Sequence, residues 1–317
     1  MYTFIINPAS RSGLGQQVWE TLEPVLKERG ISYQVHMTGY QRHATRLARE
    51  ITGDKGEHTL VVLGGDGTVN EVINGIEDLS RITLGYIPVG SGNDFARFFR
   101  LPPDPGAALD LILSPPGFAH MDVGRIAYRD HTKRFAVSTG LGFDAAICHQ
   151  AVISKLKPLL NKLHLGKLTY ALIALDRLHF LRPARLRVTL DEGPSLSFTN
   201  VLFATVMNHP FEGGGFKFCP EADPCDGRLN VLVASGISRP RALCLLPLAL
   251  NGAHTKARGI CLRSCRRVLI ESDMPLPVHT DGEPIFLQRQ MEVSLEEEKL
   301  RVILPAGDGK HIHKKGW

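Results

Sequence analysis

Long apolar runs are missing from this chain. The longest, Ala242 to Leu250, is about half of what a bilayer crossing requires and contains Pro247, so no transmembrane helix is expected. The opening MYTFIINP lacks a basic segment followed by an apolar one. It reads as a first strand rather than a secretion signal, and a cytoplasmic location is expected. Cysteine is sparse and scattered (Cys148, Cys219, Cys225, Cys244, Cys261, Cys265), and no pair has the C-x-x-C spacing of a zinc ribbon or redox site. Reduced, mostly buried thiols are expected. Histidine is plentiful, but no H-E-x-x-H occurs, and His311 and His313 in the tail HIHKKGW are not read as metal ligands. There is no G-x-x-x-x-G-K-[ST], which excludes a P-loop enzyme. No G-x-G-x-x-G follows the first strand with an acidic residue about twenty further on, which weakens a dinucleotide oxidoreductase. Internal repeats and low-complexity segments are absent as well.

What is present is an ordinary globular composition. Hydrophobic residues make up 43% and charged residues 22%, which argues against disorder and against a polytopic membrane protein. At 317 residues the chain exceeds the usual size of one core, so two domains are expected. The formal charge of +5 suits anionic substrates, nucleotide phosphates or an anionic membrane surface, and selects none of them.

The first hundred or so residues alternate extended apolar runs with helical spacing, the pattern of a parallel α/β sheet. Strands are expected at Tyr2 to Ile6, Ser32 to Met37, Leu60 to Leu63 and Ile82 to Ile87. Helices are expected around Val18 to Leu26, over His43 to Ile51, through Val69, Val72 and Ile73, and from Asn93. Near Pro115 and Pro116 the pattern changes. Strand-like segments follow at Arg134 to Ser138, Leu186 to Leu190, Thr199 to Met207, Leu229 to Val233 and Arg267 to Glu271, so a mostly antiparallel β domain is expected there. One stretch, Val152 to Phe180, is leucine-rich and expected to be helical after Pro158.

Three loops carry the chemistry of the first half. Leu63-Gly64-Gly65-Asp66-Gly67-Thr68-Val69-Asn70-Glu71 takes a buried strand into a helix, and ligands of open α/β sheets bind at such strand ends. Its glycines permit close approach to a phosphate, and the following helix N-terminus offers free N–H groups. Asp66 is suited to a nucleotide-bound magnesium or the transferring phosphoryl group; the plainer reading is a tight turn with Asp66 as helix cap. Pro88-Val89-Gly90-Ser91-Gly92-Asn93-Asp94-Phe95-Ala96 repeats the design one strand later, with Ser91 supplying a hydroxyl and Asn93 or Asp94 a cap. The stretch from Asn7 to Gly15 follows the first strand.

These residues resemble the diacylglycerol kinase catalytic-domain family. Gly64 to Glu71 is similar to its GGDGTxNE signature, Pro88 to Ala96 to PxGTxNDFA, and Asn7 to Gly13 to NPxxG. Gly213-Gly214-Gly215, Pro220 and Asp226-Gly227-Arg228-Leu229-Asn230-Val231 are similar to GGG…P…DGxLxV, and Asp281-Gly282-Glu283-Pro284 to DGEP. The five motifs keep their order over essentially the whole chain. Ser91 stands for the usual Thr, Cys225 where an acid is frequent, and Asn230 for a common Asp.

The resemblance implies an α/β nucleotide domain over residues 1–122 and a β-sandwich lipid domain over 123–296. Both substrates are then held in the cleft between them, and residues 297–317 return to the first domain by a last strand near Leu300 to Leu304. It implies ATP as phosphoryl donor, contacted by Asn7, Thr38, Gly64, Gly65, Asp66, Gly67, Thr68, Asn70 and Ser91, with Asp66 working with Mg2+. Asp281 or Glu283 takes the proton of the lipid hydroxyl; a solvated turn is the plain reading of the pair. Asp226, with the carbonyls of Asp223 and Arg228, matches a structural magnesium site. In-line transfer would rest on positioning and charge neutralisation.

The resemblance implies a membrane lipid as acceptor: diacylglycerol leads, with phosphatidylglycerol, sphingoid bases and undecaprenol-like alcohols behind it. Lys155, Lys157, Lys162, Lys167, Arg177, Arg182, Arg185 and Arg187 face a single acid, Asp176, among leucines. That pattern suits either peripheral contact with an anionic bilayer or the wet face of a core helix. Lys310, Lys314 and Lys315 either extend that surface or belong to a frayed tail. A homodimer is plausible from the resemblance, and no nucleic-acid partner is expected. The rival enzyme is an NAD-kinase-like kinase of a soluble substrate; the rival class is a lipid-binding protein without turnover.

Overall fold

The computed structural model of the chain describes residues 1–54, 56–146 and 182–306. The expected basic helix of Val152 to Phe180, Cys148, and the tail residues from 307 onward lie outside the described residues. Two compact units result: Met1–Val123 with the described residues from Glu296 onward, and Gly124–Leu295.

In the first unit, strands β1 (Tyr2–Ile6), β2 (Tyr33–Met37), β3 (His58–Gly64), β4 (Ile82–Pro88) and β17 (Leu300–Leu304) run parallel in the order β2-β1-β3-β4-β17. β5 (Gly117–Met121) adds antiparallel to β17. Phe4, Ile5, Ile6, Leu60, Val61, Val62 and Leu63 are buried without alternation, which strands covered on both faces require. Phe4, Ile6, Val61, Leu63 and Ile87 pack against Trp19, Leu22 and Leu26 of α1 (Ser10–Glu28) and Leu109 and Ile112 of α5 (Pro105–Leu113). The alternate positions point to the opposite face, where α2 (His43–Thr52) crosses α3 (Asp66–Gly75). That crossing is close: a Cβ on Gly75 would collide with the Thr45 carbonyl oxygen. A short helix, α4 (Asp94–Phe98), follows β4.

The second unit is built from β6 (Gly124–Tyr128), β7 (His131–Phe135), β8 (Ser138–Gly142), β9 (Ala184–Leu190), β10 (Leu196–Met207), β13 (Leu229–Ser235), β14 (Ile260–Cys265), β15 (Arg267–Thr280) and β16 (Glu283–Leu295). The pairing is antiparallel throughout. Both β8 and β9 pair with β10 and with β15, so these two long strands pass from one layer of a sandwich to the other. Register shifts between Phe198 and Val201 and between Glu271 and Leu276 mark where they bend. Leu186, Val188, Val206, Val231, Val268, Ile270 and Val293 fill the interior. In β9 buried residues alternate with exposed Arg185 and Arg187, as on a strand with one wet face.

A small hairpin of β11 (Phe211–Glu212) and β12 (Phe216–Lys217) flanks the three glycines. Helix α6 (Arg239–Ala249) takes up most of the apolar run noted above, and no helix of the described residues is long and apolar enough to cross a membrane.

One expected strand needs correction. Arg134 to Ser138 is not continuous: β7 ends at Phe135 and β8 begins at Ser138, and the break is held by the side chain of Asp281, far along the chain.

Candidate functional site

Asn7, Thr38, Gly65 and Val89 each follow the last residue of a parallel strand, at one edge of the first sheet. Asn7 N–H donates to the Leu63 carbonyl (2.9 Å), Thr38 N–H to Ile6 (2.8 Å) and Val89 N–H to Gly64 (2.7 Å), so the loops leave together from the carboxyl ends. Strand order reverses between β1 and β3, the crevice where open α/β sheets take ligands. The glycines do more than admit a ligand. A Cβ on Gly90 would stand 2.7 Å from Gly65 Cα, and one on Gly64 2.6 Å from the Thr68 hydroxyl, so two loops press together only without side chains. Asn7 ties in the third loop: its Nδ2 donates to Thr68 Oγ1 (3.2 Å), while its Oδ1 accepts from Ala9 N–H (3.1 Å). The loop then turns through left-handed backbone at Arg11, Ser12 and Gly13 (φ 47°, 61° and 95°). Ser91 stands exposed at the tip of its own loop.

Asp66 is the first residue of α3, behind Gly65, and its carboxylate caps a different helix. It accepts from the N–H groups of Asp94 (3.1 Å) and Phe95 (3.3 Å) at the start of α4. Asn93 instead folds back, its Nδ2 donating to the Gly90 carbonyl (3.0 Å). Asp94, which the sequence presents only as a cap, is buried beside this point and 3.5 Å from Arg97 Nε. Burial, and then the charges of Asp66 and Asp94, hold the Tyr86 phenol well above its ordinary value. Asn70 lies a turn inside α3, buried, its side-chain oxygen accepting from Asn74 (3.3 Å). Glu71 closes the motif with a structural role, since its two oxygens accept from Arg42 N–H (2.9 Å) and Ala44 N–H (3.2 Å) at the start of α2.

In the second unit Asp281 and Gly282 form the two-residue loop between β15 and β16, with Thr280 opposite Glu283. Both loop residues have positive φ (47° and 78°), the type I′ geometry for which Asp-Gly is suited. The half-buried Asp281 carboxylate is turned onto the backbone. It accepts from the backbone N–H groups of Ala136 (2.8 Å), Val137 (2.8 Å) and Ser138 (2.9 Å), which holds the break between β7 and β8. The Asn208 amide grips the same break, donating to the Ala136 carbonyl (2.9 Å).

Behind the loop sits a cluster that the sequence did not reveal. His279, fully buried, has Nε2 3.3 Å from Asp144 Oδ2 and 3.2 Å from Glu212 Oε1. Burial alone would lower its pKa, but the carboxylates of Glu212, Asp144 and Asp281 outweigh that and raise it. Gly140 makes room, since a Cβ there would overlap the Asp144 carboxylate and lie 2.8 Å from His279 Nε2. Asp223, Asp226 and Arg228 share a separate turn before β13. Asp223 accepts from Cys225 N–H (2.9 Å), Asp226 from Arg228 N–H (2.8 Å), and the Arg228 guanidinium is tied to Ser264 (2.7 Å). Among the described cysteines, Cys219 and Cys265 are buried, and burial first of all pushes the Cys265 thiol up to about 12. Cys244 is exposed and Cys225 and Cys261 are half-buried, so the thiols are less uniformly inside than expected.

Comparison with known proteins gives these arrangements a lineage. Residues 1–126 match the family described as "Diacylglycerol kinase catalytic domain", and residues 138–310 match the "YegS C-terminal NAD kinase beta sandwich-like domain". A "Diacylglycerol kinase" of Mycobacterium tuberculosis (strain ATCC 25618 / H37Rv) is 30% identical over 96% of this chain and 94% of its own length. A solved diacylglycerol kinase structure from Bacillus anthracis str. Sterne superposes with a TM-score of 0.68, covering 96% of this chain and 97% of that one at 20% identity. An NAD kinase from Archaeoglobus fulgidus, solved in complex with ATP, shares the fold more distantly, with a TM-score of 0.51 at 10% identity over 96% of this chain and 93% of that one. This chain belongs to the diacylglycerol kinase catalytic domain family and is an ATP-dependent lipid kinase.

Proposed function

We propose that the acceptor is diacylglycerol and the product phosphatidic acid. The observation that carries the donor half is the packing of the Gly64–Gly65 and Gly90 bends against each other at the rim where strand order reverses. There Asn7, Thr38, Gly64, Gly65, Gly67, Thr68, Asn70 and Ser91 bind ATP. Backbone N–H groups at the start of α3 and the Ser91 hydroxyl take phosphate oxygens, as helix starts do. Asp66, with Asp94 beside it, presents hard carboxylate oxygens of the kind Mg2+ takes. Magnesium, when bound, neutralises phosphate charge. The turn of Asp223, Asp226 and Arg228 offers oxygen donors of the same kind for a structural ion.

For the acceptor half, Glu283 is the general base. Asp281 has its oxygens committed to three backbone N–H groups, which ties it to the break between β7 and β8. Glu283, the next residue but one, removes the proton from the lipid hydroxyl as it attacks the γ-phosphorus in line. The enzyme meets its lipid by peripheral contact with an anionic bilayer and works as a homodimer.

Labelled ATP and magnesium supplied with vesicles containing diacylglycerol, phosphatidylglycerol or sphingosine, or with NAD in solution, test the reading. Label in phosphatidic acid alone supports it, and label in another product replaces the acceptor. Asp66→Asn, which keeps one acceptor for the α4 cap, should lower kcat at least about a hundredfold with the chain still folded. Full activity in that variant would refute the role of Asp66.

A further inference from the structure

The Asp144–Glu212–His279 cluster joins three separate segments: the residues just after β8, the strand β11 that enters the glycine triplet, and the strand leading into the Asp281–Gly282 loop. By spacing alone the three donors suit a cation, since their ligating atoms lie within 4.8 Å of one another. The other ring nitrogen argues otherwise. Gly282 N–H donates to His279 Nδ1 (3.2 Å), a contact that opposes the second ring proton the carboxylates favour, so Nδ1 is the acceptor and the ring proton sits on Nε2, between the carboxylates. A metal on Nε2 needs that nitrogen bare and a proton on Nδ1, and metal-bound histidines donate from their second nitrogen rather than accept there.

The Gly282 contact has a clear effect. In a two-residue hairpin loop the N–H of the second loop residue has no place in the strand ladder. Here His279 takes it up. Asp281 is already fixed by its side chain and by its own N–H, which donates to the Ser138 carbonyl (2.8 Å). With Gly282 fixed as well, the backbone entering Glu283 has one direction.

We propose that His279 is a positioning residue for phosphoryl transfer: clamped at Nε2 by Asp144 and Glu212, it grips the Gly282 amide at Nδ1 and thereby aims Glu283. This rests on the reading of Glu283 as the base.

Two substitutions separate positioning from mere packing. His279→Asn keeps an acceptor at the δ position facing Gly282 but loses the donor to the carboxylates. His279→Gln keeps a donor at the ε position and loses the acceptor. Stability and rate should then rank oppositely. His279→Gln should melt higher than His279→Asn yet have kcat reduced about tenfold to a hundredfold, with KM for ATP unchanged, the size of loss that about 1 Å of misplacement produces. His279→Asn should lose no more than about threefold in kcat. If His279→Gln fails to fold, Asp144→Asn, which preserves side-chain shape, should lower kcat about tenfold on the same ground.

Equal ranking of rate and stability, or unchanged kcat in His279→Gln, overturns the proposal. So does one equivalent of zinc retained by the purified protein and lost in His279→Asn. Glu283→Gln run alongside identifies which step failed: wild-type kcat there sinks the base assignment, whereas a dead Glu283→Gln with active His279→Gln sinks only the positioning.

Discussion

The two units use an Asp-Gly pair in opposite ways. In the first, Asp66 begins a helix at a strand end and reaches 28 and 29 residues ahead, to the loop beside its own. In the second, Asp281 reaches back 143 to 145 residues to hold the ends of two strands in register. The same residue type in a similar local setting thus serves a neighbouring loop in one place and a tertiary clasp in the other. A motif acid is therefore not a catalytic acid by virtue of being in the motif. What its oxygens already hold decides what they are free to do.

That contrast is sharpest inside the loop Asp281-Gly282-Glu283. Glu283→Gln should lower kcat by about 10² to 10⁴, the usual worth of a general base, while the melting temperature stays within about 1 °C. Asp281→Ala should do the reverse first, costing roughly 3 kcal/mol in urea unfolding because three backbone N–H groups lose their acceptor. If Asp281→Ala leaves stability intact, the clasp is wrong. If Glu283→Gln melts early, the division of labour between the two acids is wrong.

In the first unit the matching probe is a methyl group. Gly90→Ala places a carbon 2.7 Å from Gly65 Cα, and overpacking of this kind costs about 1–3 kcal/mol. It should also raise KM for ATP several-fold; an unchanged KM would separate the two bends from nucleotide binding.

Acid should weaken the second unit before carboxylates begin to titrate. Burial lowers His209 from 6.5 to about 3 and lowers His254, so both stay neutral in the fold where an unfolded histidine takes up a proton. The contribution of His209 is complete above about 6.5 and is lost as pH falls toward 3, with a slope of up to about 1.4 kcal/mol per pH unit, and His254 acts in the same direction. Unfolding free energy measured from pH 6.5 to 5 should fall, and His209→Leu should flatten the slope; an unaltered slope would exclude His209 as its source.

The smallest effect belongs to the surface. Arg29 pairs with Asp110 at 2.6 Å between α1 and α5, but both side chains are about half exposed. Arg29→Ala should change stability by less than about 0.5 kcal/mol. A loss as large as that of Asp281→Ala would mean that short distance, not burial and backbone acceptance, sets the worth of a charged contact here.

Much of the first unit was legible in the sequence because its signals are local. Parallel strands covered on both faces must be continuously apolar, and a strand that turns into a helix under another loop must shed its side chains, so Leu60 to Asn70 declares itself within a dozen residues. The pieces that escaped were non-local. Arg134 to Ser138 reads as one strand because nothing nearby interrupts it; the interruption comes from Asp281. Asp94 reads as a cap, yet the capping of α4 is done by Asp66. Gly140, Asp144, Glu212 and His279 gave no joint signal, because no spacing in the chain relates them.

By itself the sequence determined where the backbone bends: the glycine loops, the Asp-Gly hairpin and the alternation or continuity of apolar residues, all set by steric and solvation rules acting over a few positions. Only the tertiary structure decided which groups the Asp281 carboxylate engages. Hydrogen-bond partners of a carboxylate are chosen by distance in space, and the chain brings residue 281 to residues 136–138 through pairing of strands that no local rule records.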